Sequence, residues 1–316
     1  MQAVESMISD TVYKRVLKLM GNRFEISVVA DDKEWAEYRI NLAIAEIQRI
    51  ENLITTFSDD SQTNQINAHA GIAPVKVNRE VFDLIARSLK ISELTQGAFD
   101  ITYGSIDKSL WNFDLNMKTL PDAATAQAAV RLINYQNVIL DNENTTVFLK
   151  EAGMRIGFGG IGKGYAADKA KAVLQTEGVK SGIVNAAGDL ITWGTQPNGK
   201  PWTIAIADPD QETTPFSTLN ISNMAIATSG NYAKYVVING KKYSHTIDPK
   251  TGLPVSGIKS VSIISPSAEF ADAMATPVTV MGAYVGLDLI NQLQNVACVI
   301  ITDDSNVYTS KNINIK

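Results

Sequence analysis

A single cysteine, Cys298, stands among 316 residues, which excludes an internal disulfide framework and any cysteine-based zinc or iron–sulfur site. Histidine is nearly as scarce. His69 and His245 are too few for a histidine-rich metal cage, so a metal here would be a hard one held by oxygens. Excess basic charge is also missing. The formal net charge is −5, and no basic stripe offers the phosphate contacts that a nucleic-acid binder needs. The uncharged stretch 273–287 is broken by Pro277, Gly282 and Gly286 and falls short of the roughly 18 apolar residues of a spanning helix. The N-terminal MQAVESMISDTVYKRVLKLMG has no apolar run and no cleavage signature. The expectation is a cytoplasmic protein, or a chain from which an export signal has been trimmed.

What is present describes a folded chain. Hydrophobic residues make up 45% and charged residues 19%, which places it among globular proteins rather than disordered ones. Residues 13–30 read as two strands meeting at Gly21-Asn22. Residues 33–54 read as an amphipathic helix with Ile40, Ile44, Ile47 and Ile54 on one face. TTFSDDSQTNQIN (55–67) breaks every periodicity. Further helices are expected over 79–96, from 121 to about 133, and over 164–177, closed by Gly178. NVILDNENTTVFL reads as a hairpin and GMRIGF (153–158) as a strand. The C-terminal half is strand-rich, with Asn239-Gly240 as a type I′ hairpin turn. Helices follow near 267–276 and 284–294, and Pro277 is expected to kink or end the first of them. Strands and helices come in unequal blocks, which argues for an α+β fold. No linker divides the chain, so we expect a tail over 1–12 and one unit over 13–316.

Chemistry concentrates in a few places. GFGGIGKG (157–164) fits G-x-G-x-x-G through Gly157, Gly159 and Gly162. It also fits most of a P-loop through Gly157, Gly162 and Lys163, except that Gly164 replaces the magnesium-binding hydroxyl. A Rossmann reading would need an acid further on, and Asp189 is the nearest. Both readings share a phosphate cradle of loop N–H groups, a helix N-terminus and Lys163; glycines that permit close packing are the alternative. Asp272 and Thr276 lie at i, i+4 on one helix face, and by themselves read as a polar face in water. His245, in SHTIDPKTG, suits a base, a phosphate contact or a buried structural histidine equally. ATSGNY (227–232) suits a substrate loop or an ordinary turn.

Together these blocks resemble the ApbE-type FAD:protein FMN transferases over nearly the whole chain. The resemblance rests on KLMGNRFEI, TTFSDDSQTNQIN, GAFDITYGS, IGFGGIGKGYAADKA, NAAGDL, ATSGNY, YSHTIDPKTGLPV and ADAMATPV, in the family's order. It implies a single compact, T-fold-related α+β unit with mixed or antiparallel sheets and packed helices. It also implies Mg²⁺-dependent transfer of FMN from FAD to a Thr or Ser hydroxyl of a target flavoprotein, with release of AMP. Asp272 and Thr276 match the family's magnesium ligands, with the Gly160 carbonyl as a third. Met20, Phe57, Ala98, Phe99, Asp100 and Lys163 match positions lining the FAD site, and His245 matches the histidine that assists transfer. Three departures stand out: Gly157 where many relatives carry Asp in the flavin site, Phe57 where Tyr is frequent, and Pro277 after the metal threonine. Family members are usually exported, which would place the chain on the periplasmic side if a signal was trimmed. FAD hydrolysis, a non-catalytic FAD carrier and an NAD enzyme are the competing expectations.

Overall fold

The computed structural model describes residues 11–107, 110, 118–208, 211–230 and 235–313. Strands β1 (Thr11–Leu19) and β2 (Asn22–Ala30) form a hairpin. Its two-residue turn is Met20-Gly21, both at positive φ (48° and 72°), as a type I′ turn requires. The turn therefore sits one residue earlier than expected, and β1 opens at Thr11, ahead of the expected domain boundary. Helix α1 (Lys33–Ile54) starts where Asp32 accepts a hydrogen bond from the Trp35 N–H at 2.6 Å. It buries Ala36, Ile40, Ala43, Ile47, Ile50 and Ile54, while Ile44 is only half-buried.

A short helix, α2 (Gln62–Ala68), follows inside the block expected to be irregular. Next come β3 (Val75–Lys76) and α3 (Arg79–Leu94), then a 3₁₀ turn over Ile101–Ser105. Helix α4 (Ala123–Ala129) is shorter than expected, and β4 (Val138–Asp141) pairs with β5 (Thr146–Leu149). Helix α5 (Gly162–Thr176) leads to β6 (Gly182–Ala186) and β7 (Asp189–Trp193). A ribbon of β8 (Trp202–Asp208) and β9 (Gln211–Ile221) precedes β10 (Ala225–Gly230). β11 (Tyr235–Ile238) and β12 (Lys241–Ser244) turn at Asn239-Gly240, both at positive φ. The chain continues with β13 (Ile258–Ser265), α6 (Ala268–Met281), α7 (Ala283–Gln292), β14 (Ala297–Thr302) and β15 (Val307–Thr309).

The central sheet runs β1-β2-β6-β7-β10-β13-β14-β15, and every pairing between these strands is antiparallel. Helices α1, α5 and α6 cover one face with the main core. The other face carries a second apolar layer, in which Trp202, Ile204 and Ile206 meet Leu190, Ile226, Ile264 and Val299. Double coverage explains why β7 and β13 are buried at every position. The α+β expectation holds.

Two further local expectations do not. GMRIGF forms no strand: the backbone groups of Arg155 and Ile156 are taken by side chains, as described below. Pro277 does not end α6, which runs four residues further to Met281. That helix is buried between α5 and strands β10 and β13, and this packing outweighs the loss of one backbone hydrogen bond.

Candidate active site

Helices α5 and α6 cross at Gly164. A Cβ there would lie 2.1 Å from the Ala268 carbonyl oxygen and 2.8 Å from the Asp272 Cβ, so glycine is what permits the approach. The P-loop position that lacks a hydroxyl thus has a packing role. The crossing brings the first turn of α5 against the middle of α6. The Gly164 N–H donates to Asp272 Oδ2 at 3.0 Å, and Lys163 Nζ lies 3.4 Å from Asp272 Oδ1.

Lys163 also donates to Asp189 Oδ2 in a close ion pair. Asp189, at the start of β7, receives the Thr228 N–H on its other oxygen at 3.3 Å. One ammonium therefore faces two buried carboxylates. Burial pushes Asp189 up, to about 6; the neighbouring Asp272 adds to this and Lys163 opposes it. Burial works against the Lys163 ammonium, but the two acids outweigh it and hold its pKa above the usual lysine range. Sequence reasoning did not pair Asp189 with Lys163, since it weighed Asp189 only as the acid that a Rossmann reading needs. Its place in the quoted NAAGDL block was the available signal.

Asp272 is 6% exposed, so the bare reading of a solvated polar face is wrong. Thr276, one turn along α6, is partly exposed and makes no side-chain hydrogen bond among the described residues. Thr279 on the same helix, by contrast, bonds back to the Ala275 carbonyl at 3.0 Å.

Two of the other expected residues, Phe99 and Met20, border the glycine loop. A Cβ on Gly160 would meet the Phe99 ring at 3.5 Å, and one on Gly162 would meet the Met20 methyl at 3.7 Å. A Cβ on Gly157 would meet the methyl of Thr56, the neighbour of Phe57, at 3.8 Å. Phe57 is 99% exposed, while Ala98 and Phe99 are buried at the edge of the core. Exposed aromatic surface here therefore comes from Phe57 first. Asp100 points inward: one oxygen accepts from the Thr102 N–H and hydroxyl at 2.7 and 2.6 Å, the other from the Tyr135 N–H at 2.9 Å. Burial raises its pKa against those hydrogen bonds. Its visible work is to shape the segment that carries Phe99.

His245 is half-buried, and its loop is tied to that same segment where the Ile247 N–H donates to the Tyr103 hydroxyl at 3.3 Å. Asn231 and Tyr232 of ATSGNY lie outside the described residues.

The family model that matches residues 20–300 is that of ApbE. The chain belongs to the ApbE family. An FAD:protein FMN transferase of Klebsiella pneumoniae (strain 342) is 30% identical over 96% of this chain and 93% of its own length. The flavinyl transferase ApbE of Pseudomonas stutzeri superposes with a TM-score of 0.84 at 27% identity, covering 97% of this chain and 96% of that one. The ApbE protein of Thermotoga maritima reaches the same TM-score at 28% identity, over 95% and 97% of the two chains.

Within this ApbE chain, no group of three His, Cys, Asp or Glu suited to a metal occurs among the described residues. The donor set is of another kind. A buried carboxylate, a hydroxyl free of back-bonding and a loop carbonyl are all hard oxygens, and a cation already lodges between the two acids. Asp272, Thr276 and Gly160 therefore offer the kind of oxygen donors that would suit a hard divalent ion, with water and phosphate to complete its shell.

Proposed function

We propose that this protein transfers FMN from FAD to a Thr or Ser hydroxyl of an acceptor flavoprotein, in an Mg²⁺-dependent reaction that releases AMP. The observation that carries the reading is the Lys163–Asp272–Asp189 cluster at the mouth of a glycine loop, in a chain whose relatives bear that activity's name. Phosphoryl-type transfer asks a protein mainly for positioning and charge neutralisation. Magnesium held by Asp272, Thr276 and the Gly160 carbonyl would supply Lewis-acid stabilisation of the pyrophosphate.

The protein's own groups do the rest. N–H groups of the glycine loop and the N-terminus of α5 favour phosphate oxygens. Asp189 keeps Lys163 at the mouth of that loop, where its ammonium is available to the pyrophosphate. Phe57 offers an open face to a flat ring, with Met20 and Phe99 lining the loop beneath it. The acceptor oxygen forms a bond to the FMN phosphorus as the bond to the AMP oxygen breaks, and AMP departs with that electron pair. His245 takes the hydroxyl proton, a contribution typically worth ~10²–10⁴-fold.

The test is mass spectrometry of a flavoprotein domain carrying an acceptor Thr, incubated with this protein, FAD and Mg²⁺. A gain of one FMN, abolished by EDTA and by Asp272→Ala, is expected. AMP in solution without any gain on the acceptor would instead make the protein an FAD hydrolase. FAD retained intact would make it a carrier.

A further inference from the structure

The geometry points to α2 as the element that sets the two walls of the flavin site against each other, with Asn64 and Asn67 as positioning residues. The inference rests on the functional reading above and concerns residues to which that reading gives no part.

Asn64 Nδ2 donates to the carbonyls of Thr56 and Ser58, at 3.0 and 2.9 Å. These carbonyls belong to the residues on either side of Phe57. Ser61, which caps α2, ties the same loop down by donating to the Thr55 carbonyl at 2.6 Å. The Phe57 N–H is held by Thr55 Oγ1 at 3.1 Å. A fully exposed aromatic is therefore carried on a loop whose backbone is clamped on both sides.

Three residues on, Asn67 is 9% exposed and reaches the opposite wall. Its Nδ2 donates to the Ile156 carbonyl at 3.1 Å, and its Oδ1 accepts the Ile156 N–H at 2.7 Å. A carboxamide carries both a donor and an acceptor, so it pairs with a peptide group as a neighbouring strand would. On either side of Ile156, Ser105 Oγ accepts the Arg155 N–H and donates to its carbonyl, at 2.8 and 3.1 Å, and the Ile101 carbonyl accepts the Gly157 N–H at 3.0 Å. The run expected to be a strand is thus held by two side chains and one backbone carbonyl where it enters the glycine loop.

Asn64 and Asn67 are neighbours on one helix face, and Ile66 anchors α2 in the core at 1% exposure. The offset between the ring-stacking wall and the phosphate wall is therefore one turn of a short helix. Fixing both walls before substrate arrives removes ordering cost from binding and misalignment from the chemical step.

The test separates the two walls by comparing Asn64→Ala and Asn67→Ala. FAD binding is followed by flavin fluorescence without metal, FMN transfer by KM and kcat, and Mg²⁺ dependence by half-saturation. Asn64→Ala should weaken FAD binding and raise KM about tenfold with kcat little changed, because only preorganisation of the ring contact is lost. Asn67→Ala should lower kcat by up to ~10²-fold and raise the Mg²⁺ requirement, with fluorescence quenching retained.

Equal losses of kcat and KM in both variants, or no change in either while the wild type is active, would overturn the proposal. If Asn67→Ala fails to fold, Asn67→Asp keeps the acceptor for the Ile156 N–H, and must show the same split at smaller size. A wild type that neither binds FAD nor transfers FMN would sink the functional reading, and this inference with it.

Discussion

Two buried acids share one ammonium in the cluster of Asp189, Lys163 and Asp272, and that ratio has a consequence for pH. Asp189 has its pKa raised in the folded protein to about 6, against 3.8 for an ordinary Asp. Between those values the folded chain holds a proton that the unfolded chain has released. The contribution of this group therefore favours folding at low pH and is lost as pH rises through about 4 to 6, with an upper bound of about 3 kcal/mol. Asp189→Asn should remove that part of the pH dependence. Thermal melts of both proteins from pH 4 to 7 check it: the variant should gain relative to wild type as pH rises, and parallel curves would contradict the assignment. The expected positions were readable only through the ordered motif blocks, since the glycine loop and the Asp272/Thr276 pair each allow a bland reading by themselves. Asp189 was not legible as a partner of Lys163. The pairing joins positions 26 apart, and nothing short of the fold brings the start of β7 to the start of α5. Asp100 was legible as a position but not as a direction, since only the turn at 101–105 aims its carboxylate inward.

At the scale of elements, α6 matters most, because it carries both Asp272 and Thr276. Its N-terminus is held from outside by Asp168 of α5, which accepts from the Ser267 hydroxyl at 2.8 Å and from the Ala268 and Glu269 N–H groups at 3.0 Å each. Glu269 in turn is gripped by Arg87 of α3 through two hydrogen bonds, at 2.6 and 3.0 Å. Asp168→Ala should cost roughly 1.5–3 kcal/mol, the range for hydrogen bonds to a charged group. That corresponds to a fall in Tm of roughly 2–5 °C in a chain of 316 residues, and weaker Mg²⁺ binding should accompany it as α6 loosens. Calorimetric melting with Mg²⁺ titration checks both; an unchanged Tm would show that Ser267 alone suffices as a cap. Long periodic elements such as α1 were readable to the residue. Helix α2 was not, because QTNQINA presents a single large apolar residue, Ile66, and its other links run through amides to distant backbone. The same physics hid the irregular 153–158 run: an apolar stretch reads as a strand, yet its hydrogen bonds come from Asn67, Ser105 and Ile101.

Across the whole molecule, an antiparallel sheet covered on both faces holds the site at the crossing of α5 and α6, and loops from four regions of the chain converge on it. The order of motif blocks made this architecture readable in outline, since the family shares it. The layering was less so: strand β7 was absent from the sequence reading, although every position in it is buried. Among the described residues no helix is long and apolar enough to cross a membrane. The central claim is that a hard cation and a pyrophosphate meet at Asp272, Thr276, Gly160 and Lys163. Anomalous diffraction from crystals soaked with FAD and Mn²⁺, a substitute for Mg²⁺, tests it most directly. The account predicts a single strong peak bounded by the Asp272 carboxylate, the Thr276 hydroxyl and the Gly160 carbonyl, with the FAD phosphates beside Lys163. Bound FAD with the anomalous peak elsewhere, or with none at Asp272, would contradict it.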